Sequence, residues 1–318
     1  MTRANFSFVK LTVLTALLLT LCGTAFARDR DVIITTDCGA DIDDQFAIAY
    51  LSLVPQIHIQ AIVTTHAPTL PKQAETSAEC VKDVLQRLAA GTSPPVFAGS
   101  DVALATRAPL GNDGVDFIVK TARGHSSQNR LVIITLGATT DVASGFLTDP
   151  KLGDRVEILT MGFDSWPKGG DPWNIKNDPL AYQVILGSAA PITIGSTDVT
   201  HKYLELSDTG AAQMLSGHGP FAEWLNGLFQ DWVTKQSDLV AQVVRPRHWV
   251  VWDTVVAAHL LGFTTVETYS RPSLNLRSLE FVHFGKTPAN TLNWITSIDQ
   301  KKMWADFVRR LDRANARR

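Results

Sequence analysis

Short β-branched or apolar runs alternate with segments of helical period along the first two thirds of the chain, and this alternation restricts the fold more than any other feature. The runs that predict strands are residues 31–36, 57–65, 95–97, 131–136, 156–161 and 191–195. The segments that predict helices are residues 43–53, 73–88, 115–121, 141–147 and 179–186. Strands that alternate with helices form right-handed βαβ units. The sequence therefore predicts an α/β fold with an open, mostly parallel sheet flanked by helices.

The chain becomes more helical after about residue 207. Aromatic-rich segments occur at 221–232, and a final helix is predicted near 300–315. No repeat, linker or low-complexity tract interrupts the chain. We therefore expect one domain over residues 28–318, with a helical C-terminal portion.

Residues 1–27 have the pattern of a cleaved secretory signal. Arg3 and Lys10 accompany an apolar run over residues 11–21, and Ala25-Phe26-Ala27 is a small-residue cleavage pattern. The alternative is a membrane anchor, but the apolar run is shorter than the roughly 20 residues that span a bilayer. We expect an exported protein, periplasmic or secreted, without membrane association after cleavage.

Charge and cysteine content narrow the class of protein further. The chain after residue 27 has 27 basic and 31 acidic residues, a net charge of about −4, which argues against nucleic acid as a partner. Of its cysteines, Cys38 and Cys80 follow the signal segment. They form one disulfide in an oxidising compartment or remain two buried thiols, and the sequence leaves both alternatives open.

Four carboxylates lie in one predicted strand-to-helix turn: Asp37, Asp41, Asp43 and Asp44. One or two would be ordinary, because Asp caps helices and favours their positive end. Four like charges raise one another's pKa unless a cation neutralises them. Calcium binds such oxygen ligands, and open α/β sheets bind ligands at the carboxyl ends of their strands. We therefore predict a calcium site here rather than a capping cluster.

Residues 36–44 resemble the aspartate-rich N-terminal motif of the inosine-uridine preferring nucleoside hydrolase family, in its longer variant with an extra Asp. Further similar blocks follow in the family's order at 95–100, 117–118, 134–143, 173–179, 198–201 and 252–253. The resemblance implies a nucleoside hydrolase-like fold with a Rossmann-like core. It also implies calcium-dependent hydrolysis of the N-glycosidic bond of ribonucleosides, which gives ribose and a free base.

The same resemblance implies roles for individual residues. The calcium ion would be held by Asp37, Asp44, Asp253 and the backbone carbonyl of Leu136. Asp37 would also act as general base toward a water molecule whose pKa the ion lowers.

Ribose binding is implied for two further residues. Asp43 points about 100° away from Asp44 around the helix axis and would accept hydrogen bonds from a ribose hydroxyl. Asn174 would hold the sugar, although loop scaffolding is its alternative role. The partner would be a small nucleoside or ribosyl substrate, and a homo-oligomer is compatible with the family.

Three positions depart from the family pattern. Thr35 stands where many members have an Asp. Pro172 stands where a Glu often contacts the sugar, so that contact is lost or transferred to Asp171. Trp252 stands where a His often precedes the late Asp, which leaves the proton donor to the leaving base open. Trp252 either stacks on the base or belongs to the core.

Other aromatic residues have two interpretations each. His66 follows the predicted strand 57–65 and either contacts the substrate or has a structural role. Trp166 and Trp173 flank the Gly-rich segment 167–171. They form a mobile lid over the base or pack on a neighbouring subunit.

Other functions fit parts of the pattern. In one alternative, the chain hydrolyses a different N-ribosyl or furanosyl compound. In another, it is a ribose- or nucleoside-binding protein that has lost turnover, as Trp252 in place of a proton donor would allow. A phosphotransferase is disfavoured because the chain lacks a Gly-rich phosphate loop with its Lys.

Overall fold

The computed structural model describes residues 29–89, 91, 93–171, 173–282 and 290–317. The predicted signal segment 1–27 and the predicted departure at Pro172 lie outside the described residues. The strands are β1 (Arg30–Thr36), β2 (Ile57–Thr64), β3 (Val96–Ala98), β4 (Leu131–Thr135), β5 (Val156–Met161), β6 (Ile192–Gly195), β7 (Glu205–Ser207), β8 (His248–Val250), β9 (Thr264–Ser270), β10 (Ser273–Leu274), β11 (Phe281–Val282) and β12 (Thr291–Ile298).

Helices connect most of these strands. They are α1 (Asp43–Ser52), α2 (Gln73–Leu88), α3 (Asp113–Ala122), α4 (Thr140–Thr148), α5 (Asn174–Asn177), α6 (Pro179–Leu186), α7 (Thr197–Tyr203), α8 (Asp208–Leu215), α9 (Pro220–Lys235), α10 (Ser237–Val243), α11 (Thr254–Leu260) and α12 (Gln300–Asn315). The predicted bounds of α2, α6 and α12 agree with the observed ones.

The main sheet has the strand order β3-β2-β1-β4-β5-β6-β12-β9 over the described ranges. Its neighbouring strands are parallel from β3 to β12, and β9 pairs antiparallel with β12. The predicted α/β fold with an open, mostly parallel sheet is therefore confirmed.

Hydrophobic layers cover both faces of the sheet because successive side chains of a strand point to opposite faces. In β1, Val32 and Ile34 belong to a core with residues of α1, α2, α9, α11 and α12, whereas Ile33 faces a second core with residues of α3, α4 and α6. All three side chains are fully buried. The sheet is the middle layer of three, and its carboxyl edge is left to the loops that carry polar residues.

The C-terminal portion is helical, as predicted, but among its described residues it also contributes two strands to the main sheet, which the sequence patterns missed. Strand β12 extends the parallel sheet beside β6, and β9 forms its edge. In β9 the side chains of residues 265–268 are exposed, so the strand lacks the apolar alternation that would have revealed it.

No helix among the described residues combines the length and the apolar character needed to cross a bilayer.

Candidate active site

The carboxyl end of β1 carries the acidic turn. The strand ends at Thr36 and α1 begins at Asp43, so residues 37–42 form the connection. Asp37, Asp43 and Asp44 are buried, and Asp41 is half-buried. One carboxylate oxygen from each of Asp41, Asp43 and Asp44 lies within 4.8 Å of the others. The positive end of α1 therefore faces a group of closely spaced carboxylates.

A fourth buried carboxylate, Asp253, joins this group from a distant part of the chain. It lies between β8 and α11, and its backbone N–H donates to Asp43 Oδ2 at 3.3 Å, across a sequence separation of 210 residues. The carboxyl groups of Asp44 and Asp253 share a hydrogen bond. Thr36 Oγ1 donates to Asp44 Oδ1 on the other side. The fold thus brings the late Asp to the turn, where the family resemblance places it.

Burial, and then repulsion between neighbouring carboxylates, raises the pKa values of this group. Burial raises the pKa of Asp37 well above its ordinary value, and the charges of Asp44 and Asp41 raise it further. Burial also raises the pKa of Asp44 to about 7. The pKa of Asp253 is raised well above its usual range, first by burial and then by Asp44 and Asp37.

Asp43 has a raised pKa for the same reasons, namely burial and then the charge of Asp253. In the part of the chain that the structure describes, none of the ion pairs involves one of the four buried carboxylates. Buried, unpaired carboxylates of this kind fit a hard divalent cation that takes oxygen ligands.

The loop after β4 lies directly against Asp37. A Cβ atom on Gly137 would be 2.5 Å from Asp37 Oδ1, so the carboxylate of Asp37 packs on the glycine backbone. Leu136 precedes this glycine, and its N–H donates to Thr35 O at 2.8 Å. The carbonyl of Leu136 accepts a hydrogen bond from Asn174 Nδ2 at 2.6 Å. This carbonyl is therefore beside Asp37 and is held by a side chain from a third loop.

Asn174 begins α5 and bridges two strand ends. Besides Leu136 O, its Nδ2 donates to Met161 O at 3.3 Å. These contacts are those of loop scaffolding, which was one of its two predicted roles. The amide oxygen of Asn174 accepts no hydrogen bond from the described residues, so it is available to a substrate hydroxyl.

Asp171 also approaches the site. Its Oδ2 accepts from the N–H of Phe163 at 3.2 Å and its Oδ1 from the N–H of Trp173 at 2.6 Å. Burial raises the pKa of Asp171 to about 6, and its charge contributes to the raised pKa of Asp37. The acidic site therefore extends from the β1 turn to the loop after β5.

Trp252 lies beside a histidine that sequence reasoning did not single out. The rings of Trp252 and His201 meet edge to face with centroids 5.7 Å apart, and Trp249 meets Trp252 at 5.0 Å. Burial lowers the pKa of His201, while the carboxylates of Glu205 and Asp164 act in the opposite direction. His201 belongs to the sequence block 198–201 that carries the family resemblance, which is the signal that could have identified it.

His66 follows β2 and is fixed by a chain of hydrogen bonds. Its Nε2 lies 3.1 Å from Thr140 Oγ1, and Thr140 Oγ1 donates to Asp178 Oδ2 at 2.7 Å. Because Thr140 gives its only proton to Asp178, its oxygen accepts, and Nε2 of His66 must donate. Burial lowers the pKa of His66. The uncharged ring therefore presents the Nδ1 lone pair away from Thr140.

The two tryptophans of the Gly-rich loop differ from each other. Trp166 stacks on Tyr269 with centroids 4.3 Å apart and also contacts Phe281 and Trp294. It therefore packs on aromatic residues of its own chain, and its predicted roles as a lid or a subunit contact stay predictions. The side chain of Trp173 is 51 % exposed beside Asn174.

Cys38 and Cys80 form a disulfide, which settles the alternative that the sequence left open. The bond joins the acidic turn to α2, and its first cysteine, Cys38, follows Asp37 directly in the chain.

A three-layer α/β fold with buried carboxylates at the carboxyl edge of its sheet defines a protein that binds its ligand at the strand ends, as open parallel sheets do. Residues 32–305 match the family model described as inosine-uridine preferring nucleoside hydrolase, and the chain belongs to this family.

Relatives and solved structures agree with this assignment. The chain is 26 % identical to an uncharacterised protein of Schizosaccharomyces pombe, over 89 % of this chain and 99 % of the relative. It is 24 % identical to the pyrimidine-specific ribonucleoside hydrolase RihA of Escherichia coli, over 55 % of this chain and 64 % of that protein.

The fold is similar to that of the purine-preferring ribonucleoside hydrolase from Gardnerella vaginalis. The TM-score is 0.75 at 17 % identity, with 91 % of this chain and all of that chain covered. A plant nucleoside hydrolase gives a TM-score of 0.72 at 17 % identity, over 89 % of this chain and 99 % of that chain. The predicted family and enzyme class are confirmed: the chain is a hydrolase of the type that acts on N-glycosyl bonds of ribonucleosides.

Proposed function

We propose that this protein is a calcium-dependent ribonucleoside hydrolase that releases ribose and a free base. The observation that carries the proposal is the burial of Asp37, Asp44 and Asp253 together, without an ion pair among the described residues. A family that hydrolyses N-glycosyl bonds needs such a site, because the bond that breaks develops positive charge on the sugar. Carboxylates stabilise that charge.

Two overlapping sets of oxygen donors lie at the turn. The closest carboxylates are those of Asp41, Asp43 and Asp44. We favour Asp37, Asp44, Asp253 and the carbonyl of Leu136 as the calcium ligands. Asp41 is half-buried, whereas Asp37, Asp44 and Asp253 are buried, and the family resemblance assigns Asp43 to the sugar.

The chain's own residues would divide the chemistry. A bound calcium ion supplies Lewis acidity that makes a water molecule easier to deprotonate. Asp37 would accept a proton from a water molecule at the site as general base. Asp43 and the amide oxygen of Asn174 accept hydrogen bonds from ribose hydroxyls, and Asp171 supplies a further acceptor at the edge of the site.

The base would lie between the loops that carry His66 and Trp252. The indole of Trp252 offers a face or edge to an aromatic base, and His66 offers the Nδ1 lone pair to an N–H of the substrate. The relatives do not fix the base, since RihA is named pyrimidine-specific and the Gardnerella enzyme purine-preferring. Ribose release from different nucleosides identifies the preferred base.

The test is release of ribose from a panel of purine and pyrimidine nucleosides. The purified chain is assayed after treatment with a chelator and after calcium is restored, and magnesium serves as the matched control ion. We expect release that the chelator abolishes and calcium restores. Release that is indifferent to the chelator would contradict calcium dependence.

Trp252 is compatible with two other functions. It stands where a histidine often precedes the late Asp, so the position next to Asp253 offers no proton donor. A ribose- or nucleoside-binding protein, or a hydrolase of a different N-ribosyl or furanosyl compound, would tolerate this change. Calorimetric binding of nucleosides in the absence of any ribose release would identify the binding protein.

We also propose that the protein is exported after cleavage of residues 1–27. The support is the small-residue pattern Ala25-Phe26-Ala27 and the Cys38–Cys80 disulfide, because disulfides persist in oxidising compartments. N-terminal sequencing of the protein recovered from cell fractions tests this. A mature chain that begins at Arg28 in a periplasmic or secreted fraction supports export, and an intact Met1 in the cytoplasm contradicts it.

A further inference from the structure

We infer that the Cys38–Cys80 disulfide positions the acidic turn for cation binding, so that reduction of this bond weakens calcium binding at Asp37. The inference rests on the proposed function, in which Asp37 is a calcium ligand. It assigns a role to two residues that take no part in the chemistry themselves.

The disulfide lies next to Asp37 and restrains the backbone of the turn that carries it. Cys38 follows Asp37 directly and is fully buried, and Cys80 lies on α2, 42 residues further along the chain. Gly39 has a φ of +94°, and a Cβ atom there would be 3.5 Å from Cys80 Cβ. The turn therefore packs closely on the disulfide, in a backbone conformation that favours glycine.

Neighbouring contacts show that the turn and α2 are joined at this end of the helix. Ser77 Oγ donates to Thr36 O at 3.3 Å, and the N–H of Cys38 donates to Thr36 Oγ1 at 3.2 Å. The same Thr36 hydroxyl contacts Asp44. The disulfide is the covalent part of a set of contacts that runs from α2 to both Asp37 and Asp44.

The turn needs such a restraint because its charges repel each other. Asp37 and Asp44 are buried carboxylates at the two ends of this turn, and like charges that are buried together repel each other. A flexible turn would relieve this repulsion by moving Asp37 away from α1. A cation would then have to order the turn when it binds, and this loss of conformational entropy would weaken its affinity.

The disulfide can be reached by a reductant through one of its sulfur atoms. Cys80 is half-buried, whereas Cys38 is fully buried, so attack occurs at Cys80. With a phosphine reductant, the S–S bond accepts two electrons and two protons and gives two thiols. The phosphine is oxidised to its oxide with oxygen from water, which also supplies the protons.

The experiment measures the dissociation constant of calcium itself by isothermal titration calorimetry. The oxidised chain is compared with the same chain after phosphine treatment, and with the double variant Cys38→Ser/Cys80→Ser. We expect the dissociation constant to rise about tenfold on reduction, which corresponds to about 1.4 kcal/mol. The double variant should bind like the reduced chain, and phosphine should leave its affinity unchanged.

Hydrogen exchange of the calcium-free chain provides a second measurement that does not depend on the variant. Reduction should speed exchange of the backbone amides of residues 38–45, while those of β4 and β5 stay protected. Faster exchange throughout the sheet, with calcium affinity unchanged, would mean that the disulfide only stabilises the fold and would overturn the inference.

The outcome also separates this inference from the proposed function. Unchanged calcium affinity after reduction overturns the positioning role and leaves calcium-dependent hydrolysis standing. Absence of calcium binding to the oxidised chain overturns the calcium site itself, and with it this inference. A tenfold change without any nucleoside hydrolysis supports the positioning role in a binding protein.

Discussion

Substitution of Asp37 has different expected outcomes for a hydrolase and for a binding protein. Its carboxylate is buried against Gly137 and close to Asp44 and Asp253. Asp37→Asn keeps the size of the side chain but removes a general base. We expect ribose release at saturating calcium to fall by about 10²–10⁴-fold, with nucleoside affinity by calorimetry nearly retained.

The matched control is Asp116→Asn, the same change at an exposed position of α3. It should leave both the rate and the affinity as in the unmodified chain. If Asp37→Asn loses less than about tenfold in rate, another residue acts as the base.

His66 provides a second test at the scale of one residue. The hydrogen bonds through Thr140 to Asp178 require the proton of the uncharged ring to be on Nε2, and burial lowers the pKa of the ring. We expect the ¹⁵N chemical shifts of His66 at pH 7 to show this single tautomer. In Thr140→Val the acceptor is lost, and the shifts should report a mixture of tautomers. A proton on Nδ1 in the unmodified chain would contradict the hydrogen-bond assignment.

Sequence patterns predicted part of the site at this scale. They identified the carboxylates because four Asp residues in one turn are unusual in composition alone. They left Cys38 and Cys80 undecided because residues 42 positions apart carry no information on distance. They did not single out His201, because its contact with Trp252 joins two distant segments that only the fold brings together.

At the scale of elements, the loop after β4 controls how closely the backbone approaches Asp37. A Cβ atom at position 137 would be 2.5 Å from Asp37 Oδ1, below any normal contact. Gly137→Ala should therefore displace Asp37 and lower both calcium affinity and ribose release by at least about tenfold, the effect of about 1.4 kcal/mol. Calorimetry and the ribose assay measure the two effects.

Gly111→Ala is the control for this prediction. A Cβ atom at Gly111 has open space within 4 Å, so the same change should be nearly silent. Equal losses in the two variants would show that the effect is not specific to the loop after β4.

The elements themselves were predicted to different degrees, for physical reasons. β1 and β4 are buried on both faces, and their continuous β-branched runs marked them clearly. β9 is an edge strand with exposed side chains, and β12 mixes polar and apolar residues, so neither had a distinct period. Local sequence could not show that β12 adds to β6, because that pairing depends on contacts between distant segments.

At the scale of the whole molecule, the strand order assembles the site. Strands β1 and β4 are neighbours, which places Leu136 beside Asp37, and α11 packs near α1, which brings Asp253 to Asp43. The sequence predicted a parallel sheet with ligands at its carboxyl edge. The convergence of Asp253 was implied by family resemblance alone, since no local pattern links positions 210 residues apart.

This assembly makes the stability of the calcium-free protein depend on pH in a defined direction. The folded-state pKa of Asp44 is raised from 3.8 to about 7, and that of Asp37 and Asp253 is raised well above 3.8. The folded chain therefore holds protons that the unfolded chain has released. The free energy of unfolding then falls as pH rises, by about 1.4 kcal/mol per pH unit for each carboxyl that stays protonated only when folded.

Three histidines change the free energy of unfolding with pH in the opposite direction, but in a lower pH range. The pKa values of His66, His201 and His259 are lowered by burial. They reduce stability as pH falls below about 6.5, where the unfolded chain takes up protons first. Above about pH 7.5 these histidines are almost entirely uncharged in both the folded and the unfolded state, so the carboxyls decide how stability changes with pH there.

We therefore expect the thermal unfolding temperature of the chelated protein to fall from pH 7.5 to pH 8.5. Calcium should raise it and remove most of this decline, because a bound divalent cation keeps the carboxylates ionised in the folded state and stabilises that state by mass action. Asp253→Asn removes one of the repelling charges and should also flatten the decline without calcium. A chelated protein whose unfolding temperature rises over this window would show that the carboxylates are ionised in the folded chain and are stabilised by other groups.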